Sequence, residues 1–461
     1  MQNALTNERQ EHRSYLPAAR FNGRTATANP PRIRAVARWA LVALALATEN
    51  QGAAQSEPDY DKPPLNYSTS QPNDAVSALQ ARVTAPPWTG GGEAVLRRLL
   101  KELRVPIESQ VLVFSKTSFQ RQAIAPNRPR AIYFSDTCYV GWVPGGLVEV
   151  AAIDPQLGPI FYSFDPNADQ PRFVRDSQCM NCHGGQFVRG IPGVFVRSVF
   201  TAQNGEPLLH YGTEVVDFRT PLTNRWGGWY VTGTQGTTVH RGNTLVHEEG
   251  DRLVADLKIG PQATNLSGRF PARSYLRPDS DIVALLVLEH QTAMQNTLTR
   301  ATLDCRRMLA YQKNLQRDLK EPVTETLAYD SVKHVFDAAV EHVVDDLLFR
   351  NEARLPSDLE GSAAFPKAFG ADAPRADDGS SLKDLQVAGH LFKNRCSYLI
   401  YSECFLTLPA ELKRRIQARL ADALNSATPD PRYDYIHAAE KARISKILKQ
   451  THPNFRHLPE S

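Results

Sequence analysis

Cys179-Met180-Asn181-Cys182-His183 sets two thiols three residues apart and an imidazole directly after the second. A turn that short brings both thiols to one side, spaced to add across the two vinyl groups of one haem, and the adjacent imidazole then lies beneath the iron as an axial ligand. With six Cys and twelve His in 461 residues, random placement would produce this five-residue pattern about 0.002 times. Two other chemistries use related residues. A thiol-disulfide pair also takes C-x-x-C, but after a strand and at a helix N-terminus of a βαβ unit, and Gly184 and Gly185 oppose a helix following the motif. Structural zinc needs a full ligand set, and neither a second C-x-x-C nor a His pair stands nearby at zinc spacing.

Covalent haem belongs to oxidising compartments, and the N-terminal region points the same way. Arg32, Arg34 and Arg38 precede an apolar run from Trp39 to Ala47, which ends on the small residues Gly52, Ala53 and Ala54. This is the layout of a secretory signal peptide, cleaved after Ala54. The run is far shorter than the ~20 residues of a bilayer span, so export to the periplasm or exterior is expected rather than membrane insertion. The formal charge of the whole chain is +4. Residues 1–54 carry seven basic and three acidic side chains, so the remainder balances to zero. Such a chain has no overall attraction to phosphate backbones, which argues against a nucleic-acid partner.

The elements that must position the motif are legible as texture. Residues 55–88 are proline-rich and read as a loose linker, after which "TGGGEAVLRRLLKELRV" reads as a helix. From Val111 to about Phe218, β-branched and aromatic runs such as "AIYF", "CYVGWV", "LVEVAAI" and "GPIFYSF" alternate with turn pairs, and "RWGGWYVTGTQG" continues the pattern. After Arg277 the period becomes helical, in "DIVALLVLEHQTAMQNTLTRATLDCRRMLAYQKNL", in "SVKHVFDAAVEHVVDDLLF" and in "LPAELKRRIQARLADAL", where Leu412, Ile416, Leu420 and Leu424 recur every fourth residue. The expected architecture is α+β: a β-rich unit at 89–277 holding the haem motif, then a mainly helical unit at 278–461 with a mobile loop at 352–381.

On Cys179, Cys182 and His183 the chain resembles the c-type cytochromes. Beyond the five residues of the motif, 179–183, it is similar to large exported bacterial proteins with a single c-type haem site and no established activity. The resemblance implies one covalently attached haem c on Cys179 and Cys182, with His183 as proximal iron ligand. It does not imply the small all-helical cytochrome fold, because strands flank the motif.

The other face of the iron separates the functions. A strong second protein ligand makes an electron carrier, whereas an open position admits peroxide or small ligands. At 100° per residue Val283, Val287, His290 and Met294 lie within about 60° of one another, so His290 and Met294 fall in an apolar stripe and are candidate distal ligands. A histidine in such a stripe has to be paired or ligated, so a hydrogen-bonded core His290 is the first alternative, with His240 in "TTVHRGN" and an open site beside it, and Cys305 and Met308 continue the stripe as core. His334 and His342 are eight residues, about 12 Å, apart on one helix and too far to share a metal. They read as structural or surface residues, like His210 and His247. Cys138, Cys305, Cys396 and Cys404 allow three disulfide patterns. The reading that follows is a monohaem electron-transfer protein whose redox partner the sequence does not reveal. Its alternatives are a haem enzyme of peroxidase type and a non-catalytic haem sensor or docking protein.

Overall fold

The computed structural model describes residues 57–82, 88, 90–250, 252–256, 263–425 and 427–456. The expected signal peptide at 32–54 lies outside the described residues. Pro58–Val246 and Ala255 onward form one compact unit, and His247–Val254, the centre of a two-stranded ladder, belong to another.

The main unit is α+β. Its first helices are α1 (Ala75–Arg82) and α2 (Gly91–Glu102). An antiparallel sheet follows, from β1 (Val111–Val113), β2 (Arg130–Phe134), β3 (Cys138–Trp142), β4 (Val148–Asp154), β5 (Gly158–Phe164) and β6 (Phe173–Arg175). A separate pair, β7 (Val196–Val199) and β8 (Thr213–Val216), precedes β9 (Trp229–Tyr230), which closes the seven-stranded order β6-β5-β4-β3-β2-β1-β9. Register sorts the side chains. Phe134, Tyr139, Ala151, Ile153 and Phe161 meet across neighbouring strands and enter one core, while Tyr133, Val140, Val150, Ala152, Ile160 and Tyr162 enter another on the opposite face. This period-two alternation is what a sheet buried on both sides demands.

The second face is covered by α1 and α2 through Val76, Leu79, Val95, Leu96, Leu99 and Leu100. The first face receives α4 (Ile282–Asp318), which follows the one-turn α3 (Met180–His183). Asp281 caps α4, its Oδ1 accepting from the backbone N–H groups of Val283 and Ala284 at 2.8 and 2.9 Å. From Ile282 to Thr292 every residue of α4 is buried, so its polar members need partners. Gln291 Nε2 donates to Ser135 O at 2.8 Å, Gln295 Nε2 donates to Asp136 O at 2.8 Å, and the Tyr139 hydroxyl donates to Gln295. These bonds fix the helix to the β2–β3 turn. At the β4–β5 turn a Cβ on Gly158 (φ +80°) would lie 2.5 Å from Thr299 Cγ2, so the close approach of turn and helix requires glycine.

α5 (Asp330–Leu347) returns antiparallel to α4: Gln312 near the connection bonds Thr326 O, and Thr297 at the far end donates to Asp346 Oδ2 at 2.6 Å. Between α5 and the next long helix lie α6 (Ala364–Phe369), with Phe365 and Phe369 buried, and the one-turn α7 (Glu403–Leu406). Thus 352–381, which composition reads as a loop, contributes two phenylalanines to the core. α8 (Ala410–Leu424) buries Leu412, Ile416, Leu420 and Leu424, as their spacing predicts, and α9 (Ala438–Thr451) packs beside it. Among the described residues no helix is long and apolar enough to cross a membrane.

Candidate functional site

The motif leaves the edge of the sheet at β6. Arg175, the last residue of β6, is anchored by donation to Ser70 O at 2.9 Å and Tyr67 O at 2.5 Å, and stacks on the Tyr67 ring. Asp176 then turns the chain: its N–H donates to Phe161 O at 3.0 Å, and its carboxylate accepts from the N–H of Gln178 at 3.0 Å. One 3₁₀ turn, Ser177–Cys179, runs into α3. The motif is therefore helical itself, and Gly184 and Gly185 end the helix rather than continue it. A Cβ on Gly184 would meet Tyr60 Oη at 2.6 Å and Met180 Cε at 2.8 Å.

Three-residue spacing on this turn puts Cys179 and Cys182 on one side. Both are free thiols; Cys182 is exposed and Cys179 half-buried. Burial pushes the Cys179 thiol up to about 12, with Asp176 and Glu149 adding to the rise. Arg197 lies near Cys182; it stacks on Phe187 and its Nε donates to Thr213 Oγ1 at 2.6 Å.

His183 is held from three directions. Its ring packs on Phe161 from β5, with centroids 4.5 Å apart, and on Phe195, with centroids 5.1 Å apart. Nδ1 lies 2.8 Å from Gly193 O, and the Gly193 N–H donates back to His183 O at 2.9 Å. A carbonyl can only accept, so Nδ1 carries the proton and the neutral ring keeps its lone pair on Nε2. Burial holds the imidazole neutral down to about 4. An N–H···O=C bond of this kind is the second-sphere contact that fixes tautomer and orientation in metal-ligating histidines. Beneath the motif Arg130 and Glu149 form a 2.5 Å ion pair across β3, passing over Gly141, where a Cβ would overlap the guanidinium.

Next to the motif opens a cleft of about 690 Å³. The segment following the motif lines it with Phe187, Val188, Arg189 and Phe195; α4 contributes Asn296 and Arg300; α5 contributes His334 and His342. Phe195 thus touches His183 and lines the cleft. Asn296 ties this segment to α4, accepting from Val194 N–H at 3.0 Å and donating to Val194 O at 2.7 Å. Arg300 Nη2 donates to Arg189 O at 2.7 Å and Val188 O at 3.2 Å.

Neither His290 nor Met294 lines the cleft beside the motif. Both are fully buried. His290 stacks on Phe349 at 4.2 Å, is edged by Phe218, Phe392 and Tyr398, and has Nε2 2.8 Å from Ser397 Oγ. None of these rings packs on His183. Met294 sits in the core on the same helix. His240 is buried against Trp226, with ring centroids 5.0 Å apart. Cys138, Cys305, Cys396 and Cys404 are buried free thiols.

The surroundings of the motif also bear on the thiol-disulfide chemistry. The strands on either side of the motif's sheet edge pair antiparallel throughout, so C-x-x-C here does not open the helix of a βαβ unit. Among the described residues no three Cys, His, Asp or Glu side chains come together to hold a metal ion. Gly193, Phe161, Phe195 and the Arg130–Glu149 pair are contacts that local pattern does not announce, because each is brought to the motif by sheet register or by a returning loop. Comparison with protein-family models, with curated proteins and with solved structures finds no match to this chain.

Proposed function

We propose that the protein is an exported c-type cytochrome protein with one haem, working in electron transfer. Cys179 and Cys182 hold the haem through thioethers and His183 is its proximal ligand. The observation that carries this reading is the His183 Nδ1–H···O=C Gly193 bond, which leaves Nε2 as the donor nitrogen beside two free thiols on one side of a helical turn. Bound there, haem supplies a one-electron couple. The chain's own contribution is orientation and exclusion of water. Phe161 and Phe195 clamp the imidazole, Gly193 O holds its proton in place through both oxidation states, and the aromatic surroundings lower the local polarity. Export rests on residues 32–54 and on the chemistry of the motif. The redox partner is a protein that the neutral charge balance does not specify.

The cleft beside Phe187 and Phe195 favours one alternative, a haem enzyme of peroxidase type with substrate access on that side. Carbon monoxide separates the two. An electron carrier with both axial positions filled should show no fast change in its reduced spectrum on exposure to the gas. Rapid conversion to a carbonyl spectrum would favour the enzyme or the sensor.

A further inference from the structure

The cleft between α4, α5 and the segment that follows the motif has a chemistry of its own. None of Cys179, Cys182 and His183 lines it, and Phe195 stands between it and the imidazole. We propose that this cleft binds a small organic acid, its carboxylate held by Arg189 and Arg300 and its apolar body laid between the two helices. The proposal goes beyond the haem reading and does not depend on it.

The first observation is room. At about 690 Å³ the cleft falls in the size range of small-molecule pockets, roughly 300–1,000 Å³. Residues four apart share one side of a helix, and the lining takes Ala293, Thr297 and Ala301 from α4 and Val335, Ala339 and Val343 from α5. Alanine at Ala293, Ala301 and Ala339 leaves space that longer side chains would fill. Phe187, Val188 and Phe195 add apolar surface from the segment after the motif.

The second observation is charge. Arg300 is pinned to the segment by donating to Arg189 O at 2.7 Å and Val188 O at 3.2 Å, which keeps two arginines together at the cleft. The Arg189 side chain makes no hydrogen bond or ion pair among the described residues. Burial makes Arg300 less basic and the Arg189 charge adds to this; Asp304, 3.9 Å from Arg300 and 3.8 Å from Arg307, opposes the shift without cancelling it. The other acid of the lining, Asp217, is taken by Arg219, which also pairs with Asp346. His334 and His342 line the cleft, are exposed and make no hydrogen bond or ion pair among the described residues. A cationic ligand would meet only acids that already have partners. A carboxylate meets two guanidiniums, one of them without a partner, and can accept from both.

The test is isothermal titration of the full-length protein with 2-naphthoate and, separately, with 2-naphthamide, which carries the same rings without the charge. The naphthoate should bind at a single site, about tenfold or more tighter than the amide, as charge-assisted bonds require. Arg189→Gln should remove that preference and leave the amide's affinity unchanged, with no cost in folding because the side chain is exposed and unpartnered. Ala338→Trp, at an exposed position that lines the cleft, should abolish binding of both compounds by filling it. Circular dichroism of each variant checks the fold. Wild type that binds neither compound, equal affinity for the two, or a folded Ala338→Trp protein that keeps both affinities would overturn the site. If Ala338→Trp does not fold, Arg189→Gln decides, and a preference it leaves intact would overturn the assignment. Binding should persist when Cys179 and Cys182 are both changed to alanine, since neither lines the cleft. Covalent haem quantified in the same samples therefore tests the haem reading separately.

Discussion

Changing Cys179 and Cys182 together to alanine is expected to abolish all haem that survives acid-acetone extraction, while far-UV circular dichroism and cooperative unfolding persist. The two thiols are the only ones of the six that are not buried. They share one side of a helical turn, and Cys182 is solvent-exposed. The other four thiols, Cys138, Cys305, Cys396 and Cys404, are sealed in packed core, out of reach of a bulky group from solvent. Alanine at those positions should leave haem content unchanged. Each single change at the motif should leave one thioether and a haem that is still partly retained. The fold is expected to survive because the motif sits at the sheet edge, held by Arg175 and Asp176 rather than by the cysteines. Full retention of haem by the double variant would mean that attachment is elsewhere.

Arg225→Met is expected to cost about 3–5 kcal/mol, because it strands the buried acid Glu289 in the core without its partner. Glu289 on α4 is fully buried, and burial pushes its carboxyl upward against the pull of Arg225. Arg225 Nη1 donates to Glu289 Oε2 at 2.6 Å, and Trp226 Nε1 donates to Oε1 at 2.5 Å. The same guanidinium donates to Thr220 O at 2.7 Å and Phe218 O at 3.1 Å. Removing it leaves one oxygen of the Glu289 carboxyl and two carbonyls without this donor, and leaves the buried acid without its counter-charge. The double change Arg225→Met with Glu289→Leu should recover much of the loss, since an apolar pair of similar volume replaces the ions without leaving either unpaired. Urea unfolding of the four proteins gives the coupling energy. A single-variant loss below about 1 kcal/mol would mean that water reaches this pair and screens it.

How much of this was legible follows from the range over which each signal acts. Period-two and period-four patterns are local, so the α+β build, the sheet strands and the buried stripe of α8 could be read directly. The CMNCH pattern could be noticed because five adjacent residues carry it, whereas its place on a helical turn at the sheet edge is what the structure adds. His290 shows where locality stops. The stripe correctly requires a buried imidazole to find a partner, but the partner, Ser397, comes from 107 residues further along the chain. Sequence offers iron and a serine equally well for that role. His342 reads as a structural or surface residue, and only the return of the segment Gln186–Phe195 against α4 makes a cleft that it lines. Composition likewise hides α6, because Phe365 and Phe369 stand among Ala, Pro and Gly that read as loop.

The central claim is covalent haem at one site, and intact-mass measurement of the denatured wild-type protein, matured in a periplasm, tests it most directly. Each thiol S–H adds across a vinyl C=C and nothing is released, so the polypeptide should gain the full mass of one haem, with a reduced pyridine spectrum of the thioether-linked form. A polypeptide at its unmodified mass, with haem lost to the solvent, would contradict the account.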